Sequence, residues 1–207
     1  MRKYIISIDA GTTSIRSILF DLKGKPIFSS QKEFTQYFPR NGWVEHDPEE
    51  IWSKTKKTLL DVINKSKKLK GKILTIGITN QRETTILWNK KTGKVVYKAI
   101  VWQDRRTEEF CKKLRSQNKE TPIFNKTGLL IDPYFSGTKI KWILDNVSSA
   151  KQLMNKKQLL FGTVDSFLIW KLTKGIIHAT DATNASRTMI YNISSNKWDD
   201  TILKLLK

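Results

Sequence analysis

The sequence predicts an α/β fold built on a mixed sheet. Two observations carry that prediction. Segments rich in β-branched and aromatic residues alternate with a helical stripe in the order βββαβ, and mostly helical signals follow. The hydrophobic fraction is 39% over 207 residues, with seven Trp and nine Phe, enough to bury a core without disulfides.

Residues 4–9 (Tyr-Ile-Ile-Ser-Ile-Asp) read as a strand and Ala10-Gly11-Thr12-Thr13 as a tight turn. Residues 14–20 alternate polar and apolar, giving a second strand. A turn at 21–26, where Gly24 is free to take positive φ, leads to a third strand over 26–34. Asp47 is the expected N-cap of a helix, with Pro48 at its first position and Glu49 and Glu50 complementing the dipole. Ile51, Trp52, Thr55, Leu59, Val62 and Ile63 form its apolar stripe, and Gly71 breaks it. Residues 73–79 are apolar enough for a strand central in its sheet. β-rich stretches follow at 84–88 and 94–102, then a helix at 105–115 and a loop-rich span at 120–137. Helices are expected over 136–146, 148–157 and 164–173, the last closed by Gly175. Residues 176–179 and 188–193 read as short strands, 180–186 as polar loop, and 198–207 begins like a helix.

Composition excludes several functions. A single cysteine, Cys111, makes neither an internal disulfide nor a multi-cysteine zinc site, and suits a reducing, cytoplasmic compartment. His46 and His178 offer no metal-ligand spacing. No apolar run approaches the length of a membrane span, and Asp9 ends the first one too early for a signal segment. The net charge of +19 invites a nucleic-acid reading. Yet 30 of the 38 basic residues are Lys, scattered apart from one dense patch at 65–72, whereas base readers lean on clustered Arg. Abundant Lys, Ile and Asn point to AT-rich coding, and no nucleic-acid partner is expected.

Chemistry concentrates in five polar strings, most of them at strand ends. Asp9-Ala-Gly-Thr-Thr-Ser14 sits between two strands, where backbone N–H groups with the hydroxyls of Thr12, Thr13 and Ser14 suit an anion such as phosphate. Asp9 is placed to hold Mg²⁺, directly or through water. Arg16 shares a strand and a face with Ser14 and lies in reach of a phosphate oxygen. Asn80-Gln-Arg-Glu-Thr-Thr85 follows an apolar strand, and Arg82 with Glu83 supplies donors and acceptors for a polyol's hydroxyls. Trp102, in Trp102-Gln-Asp-Arg-Arg-Thr107, suits a small carbon skeleton. Tyr134, in Asp132-Pro-Tyr-Phe-Ser-Gly-Thr-Lys139, offers a phenol to a hydroxyl. The polar runs 162–166 and 180–187 look like loops around a site, but spacing gives no role to Asp181, Asn184 or Ser186. A bland reading stands beside each: a hairpin that favours Gly and Thr, a surface Arg–Glu pair, a core Trp, an aromatic loop anchor.

Taken together, these strings resemble the FGGY carbohydrate kinases, and within them the glycerol kinase branch. Gly42-Trp-Val-Glu-His-Asp-Pro48, Leu160-Phe-Gly-Thr-Val-Asp165 and Thr183-Asn-Ala-Ser-Arg-Thr188 add to the likeness, which runs from about residue 4 to the last residue. The resemblance implies an actin-like, ribonuclease H-like fold, and ATP-dependent phosphorylation of glycerol to sn-glycerol 3-phosphate with Mg²⁺. It implies phosphate binding by Thr12, Thr13, Ser14 and Arg16, a magnesium-associated Asp9, and glycerol binding by Arg82, Glu83, Trp102 and Tyr134. It also implies that residues 1–207 are a truncated first domain, with the nucleotide-binding second domain absent. The family's catalytic Asp belongs to a Gly-Asp-Gln string, which this sequence does not contain. The expectation is therefore a chain inactive by itself. Its expected partners are glycerol, ATP, and a separately encoded C-terminal half or further copies. The alternative is a non-catalytic glycerol-binding or interaction remnant.

Overall fold

The computed structural model describes residues 1–206. The strands and helices in chain order are β1 (Arg2–Ala10), β2 (Ser14–Asp21), β3 (Pro26–Glu33), β4 (Gln36–Tyr37), β5 (Glu45–His46), α1 (Pro48–Lys68), β6 (Gly71–Asn80), β7 (Ile86–Asn89) and β8 (Ala99–Ile100). After them come α2 (Glu108–Ser116), α3 (Glu120–Thr127), α4 (Ser136–Asn146), α5 (Ser148–Asn155), β9 (Leu159–Gly162), α6 (Val164–Leu172), α7 (Ala182–Ala185), β10 (Tyr191–Asn192), β11 (Lys197–Trp198) and α8 (Asp200–Leu205). The chain divides into two compact units, residues 1–36 with 46–81 and residues 37–45 with 82–207.

The first unit is a four-stranded sheet in the order β3-β2-β1-β6. The β1–β2 and β2–β3 pairs are antiparallel, and β6 runs parallel to β1 with Ile6 opposite Ile76. Alternation along β1 buries Tyr4, Ile6, Ile8 and Ala10 and leaves Ser7 and Asp9 half-buried. Ile15 and Leu19 of β2 and Ile51, Leu59 and Val62 of α1 complete the apolar layer. Each such side chain contributes roughly 1.5–3 kcal/mol on burial. The Ser17 and Thr58 hydroxyls meet at 2.9 Å between sheet and helix, so this buried polar pair is mutually satisfied. Helix α1 starts as its sequence requires, with the Asp47 carboxylate accepting from the Glu49 N–H at 2.9 Å. A Cβ on Gly71 would stand 2.1 Å from the Tyr4 ring, so only glycine lets β6 pass beside that tyrosine.

One expectation about this unit needs correcting. Residues 73–79 form the edge of the sheet, not its centre, and Leu74 and Ile76 are 47% and 39% exposed. One side of β6 pairs with β1, and its other side has no strand partner among the described residues. Apolar composition reports that a strand suits burial, but not which neighbour buries it.

In the second unit β7 pairs antiparallel with β9, Leu87 facing Phe161. Leu87, Ile100, Ile143 and Ala150 form one buried cluster. Cys111, Ile123, Phe135, Met189 and Ile202 belong to a larger one between the helices. The Arg106 guanidinium is fully buried, 2.8 Å from both Asp104 and Glu45. It lies 3.8 Å over the Trp43 ring and 4.7 Å from that of Trp142. The ion pairs are acceptable inside the protein because the cation is matched on both sides and its face is covered by aromatic rings.

Several elements depart from the sequence reading. Residues 120–127 are helical, not loop: Pro122 stands in the first turn, where a missing N–H costs little, and Gly128 caps the end at φ +70°. The stretch 94–102 shrinks to β8 and a single bridge from Trp88 to Val95. Strand β9 was not anticipated, because four apolar residues between two helices carry no strand periodicity. Residues 176–179 form no strand, and Ile176 is 84% exposed.

An unpaired apolar edge is a template for strand addition between copies. We expect the chain to self-associate in sedimentation velocity, and Ile76→Lys to reduce that association without lowering the thermal midpoint. Unchanged association in the variant would assign the contact to another surface.

Candidate functional site

The first unit carries the phosphate-type turn. Antiparallel pairing of β1 with β2 sets Asp9 opposite Arg16 and Ala10 opposite Ile15. The Gly11 N–H donates to the Ser14 carbonyl at 3.0 Å, closing the turn over Thr12 and Thr13. Thr13 is exposed and Thr12 and Ser14 are half-buried, so all three hydroxyl-bearing residues reach the surface. Gln31 donates to the Ser14 hydroxyl at 3.0 Å. Arg16 reaches Asp9 Oδ2 at 3.1 Å, an exposed pair of modest worth. Sequence spacing placed Arg16 beside Ser14, and the pairing register adds the contact with Asp9.

The turn is braced from beneath. Gln81, just past β6, donates through its backbone N–H to the Ala10 carbonyl at 2.8 Å and through Nε2 to the Gly11 carbonyl at 3.1 Å. The same Nε2 stands 3.2 Å from Nδ1 of His46, a buried ring set edge-on to Phe34 at 4.9 Å. Burial pulls the His46 pKa down to about 4, and the nearby Glu50 carboxylate opposes this only in part. His46 is thus neutral at pH 7, with Nδ1 assigned as the acceptor from Gln81.

As a magnesium site, the turn offers one carboxylate. Groups of three or more His, Cys, Asp or Glu side chains able to hold a metal are absent among the described residues. A lone, half-buried Asp9 fits the needs of Mg²⁺, which keeps several waters and takes few protein ligands beside a nucleotide's phosphates.

The second unit carries the Arg82–Glu83 string. Glu83 occupies the left-handed region at φ +62° and is 2% exposed. Its carbonyl accepts from the hydroxyls of Ser136 (3.0 Å) and Thr85 (3.1 Å) and from the Lys139 amine (3.4 Å). Its carboxylate Oε1 accepts from Arg187 Nε at 2.6 Å. The Lys139 amine also donates to the Tyr134 carbonyl at 2.7 Å, so one buried lysine ties the Glu83 and Tyr134 segments together. Burial lowers its pKa to about 7 against the pull of Asp104, Glu83 and Asp132. Tyr134 is turned by its N–H donating to Asp132 Oδ1 at 2.8 Å, and its ring stands edge-on to Trp102 at 5.6 Å. Arg82 is exposed, directly before Glu83.

The structure therefore links Glu83, Trp102 and Tyr134 through shared contacts and leaves Arg82 at the surface beside them. Sequence reasoning missed Lys139, Ser136 and Arg187 as members of the group. Arg187 lies 104 residues from its partner Glu83, and no local pattern reports such a contact. The neighbouring polar runs are structural: Asp165 is buried and accepts from the hydroxyls of Thr163 and Thr180, and Asp181 caps α7.

Residues 4–207 match the N-terminal domain of the FGGY family of carbohydrate kinases. The chain belongs to that family. Glycerol kinases of Shewanella woodyi and Alkaliphilus oremlandii are 56% and 58% identical to it over 205 and 207 residues. The chain spans 41% of the length of each of these relatives. Among solved structures, the Plasmodium falciparum glycerol kinase with ADP aligns over 99% of the chain and 41% of its own, at a TM-score of 0.94 and 36% identity. A gluconate kinase from Lactobacillus acidophilus aligns over 100% of the chain and 40% of its own, at 0.86 and 26%. The FGGY fold is actin-like, which agrees with the mixed sheet of the first unit. No helix among the described residues is long and apolar enough to cross a membrane.

The His46 shift has a sign. Its folded pKa lies below the unfolded 6.5, so the unfolded chain binds the extra proton between pH 6.5 and about 4. This contribution to stability is whole above pH 6.5 and falls as the pH drops toward 4, with a slope of at most about 1.4 kcal/mol per pH unit. Chemical denaturation across that range should show a shallower decline in His46→Asn than in the wild type. Parallel declines would remove His46 as the source.

Proposed function

We propose that this chain provides the sugar-side half-site of an ATP:glycerol phosphotransferase that forms sn-glycerol 3-phosphate. The observation that carries this reading is the Glu83 constellation: a buried carboxylate fixed by a guanidinium, beside an exposed arginine and an aromatic pair. A carboxylate accepts hydrogen bonds from hydroxyls, a guanidinium donates to them, and Trp102 with Tyr134 covers a three-carbon backbone. The identity to glycerol kinases over the whole chain supports glycerol over larger sugars.

Phosphoryl transfer is chiefly positioning and charge stabilisation. On this reading Arg82 and Glu83 grip glycerol's hydroxyls, Tyr134 adds a phenolic contact and Trp102 excludes water from the carbon face. Gly11, Thr12, Thr13 and Ser14 offer N–H and hydroxyl donors to the nucleotide's phosphates, and Arg16 adds a cation. Asp9 would hold magnesium, directly or through water, and the ion would neutralise phosphate charge there. The proton on the attacking hydroxyl needs an acceptor within hydrogen-bond reach. Glu83 is engaged by Arg187 and Asp9 by Arg16, so neither is assigned that role. The 207-residue chain by itself is therefore expected to bind glycerol without turning over ATP. Cytoplasmic residence and assembly with a C-terminal half or further copies belong to the same proposal.

Calorimetric titration of glycerol into the chain tests the reading. Arg82→Ala and Glu83→Gln each remove hydrogen bonds that involve a charged group, worth about 1.5–3 kcal/mol, and should weaken binding by about 10- to 100-fold. Absence of glycerol binding by a folded wild-type chain would sink the polyol reading, and ATP turnover well above background would sink the expected inactivity.

A further inference from the structure

The scheme above gives Arg187 no contact with glycerol, yet among the described residues it is the cation paired with the Glu83 carboxylate. Its Nε donates to Oε1 at 2.6 Å, and its guanidinium carbon lies 5.7 Å from the Tyr134 ring centre and 5.0 Å from that of Phe135. The guanidinium thus touches both the acid and the aromatic side of the constellation. The Arg187 side chain is 28% exposed, whereas that of Glu83 is 2% exposed. A cation in this position offsets a charge that burial would otherwise penalise.

The backbone holds Arg187 there by a separate device. The Gly137 N–H, in the first turn of α4, donates to the Thr188 carbonyl at 2.7 Å. A Cβ on Gly137 would stand 3.1 Å from that oxygen and 3.2 Å from Ile190 Cγ2, so a side chain there would press the 187–190 segment away. The same turn of α4 carries Ser136 and Lys139, which bind the Glu83 carbonyl. One helical turn therefore fixes Glu83 by its backbone and, through Thr188, brings Arg187 to its carboxylate.

We propose that Arg187 is a positioning residue that acts through Glu83 and Tyr134 and presents one oxygen of Glu83 to a hydroxyl of a neutral polyol. This rests on the polyol reading of the site. The guanidinium takes Oε1 and leaves Oε2 to a substrate hydroxyl in one orientation. With Oε1 held by the guanidinium, Oε2 is the oxygen that accepts from a ligand group donating a hydrogen bond. A ligand carrying a carboxylate in place of that hydroxyl meets Glu83 as a like charge and is rejected. Lysine cannot substitute fully, because an ammonium lacks the planar fork that pairs with a carboxylate while stacking on Tyr134 and Phe135.

The test combines a binding cycle with a structure. Glycerol and glycerate are titrated into the wild type, Arg187→Lys, Arg187→Met, Glu83→Gln and the Glu83→Gln/Arg187→Met double variant, with a thermal melt of each. Arg187→Met should weaken glycerol binding by about tenfold or more and, with the Glu83 charge left unmatched, weaken glycerate binding further still, and Arg187→Lys should weaken glycerol binding by less at a near wild-type midpoint. In the Glu83→Gln background the same Arg187 substitution should change binding by less than about twofold, because the coupling passes through that carboxylate. Additive losses, or an Arg187→Met chain that binds like the wild type while Glu83→Gln is impaired, would overturn the positioning role and leave the polyol reading intact. A wild type that binds no glycerol would overturn the polyol reading and the positioning role with it. The positioning itself is then read from the crystal structure of Arg187→Lys, where a Glu83 carboxylate displaced by about 1 Å or more is expected. An unmoved carboxylate there would overturn it.

Discussion

The second unit depends on holding Glu83 where an ordinary side chain does not settle by itself. A non-glycine residue in the left-handed region carries a backbone cost of about 1–3 kcal/mol. Burying its carboxylate without a partner would add several more. Both costs are met locally. The carbonyl collects donors from Ser136, Thr85 and Lys139, and the carboxylate meets Arg187. Strain of this kind persists where surrounding structure over-determines it, and it aims the side chain in a direction that a relaxed strand would not.

The scaffold beneath that residue uses the same logic of matched buried charge. Arg106 sits between Asp104 and Glu45 under a roof of Trp43 and Trp142, while the Asp104 carboxylate also accepts from the Val44 N–H at 2.6 Å. This network fastens the 42–45 segment to the start of α2 and steadies the stretch that carries Trp102. In the first unit the corresponding brace is neutral. Gln81 spans the Ala10 and Gly11 carbonyls, with a His46 kept uncharged by burial behind it. One unit thus positions its candidate site with ions and the other with amides.

Much of this was legible in the sequence where the signal is local. Turns around Gly11 and Gly24, the Asp47 cap and the strands over 4–9 and 14–20 follow from neighbouring residues, and the structure reproduces them. The strings carrying Asp9, Glu83 and Trp102 stood out because polar runs at strand ends are where α/β sites form, and Tyr134 because Pro133 fixes the turn that carries its phenol. Long-range pairing was not legible. Nothing near Arg187 announces Glu83, and Lys139 reads as one more lysine on a helix in a chain with many. The edge position of β6 was hidden for a related reason, since Leu74 and Ile76 look the same in a central strand as at an open edge. The net charge of +19, by contrast, adds little to the site: the cations that organise it are Arg187 and Lys139, chosen by contact rather than by abundance.

The most direct measurement is a crystal structure of the chain soaked with glycerol. The account predicts one glycerol with its carbons against Trp102 and a hydroxyl about 3 Å from Glu83 Oε2, while Arg187 stays on Oε1. Glycerol bound away from Glu83, or a Glu83 carboxylate that abandons Arg187 when glycerol arrives, would contradict it.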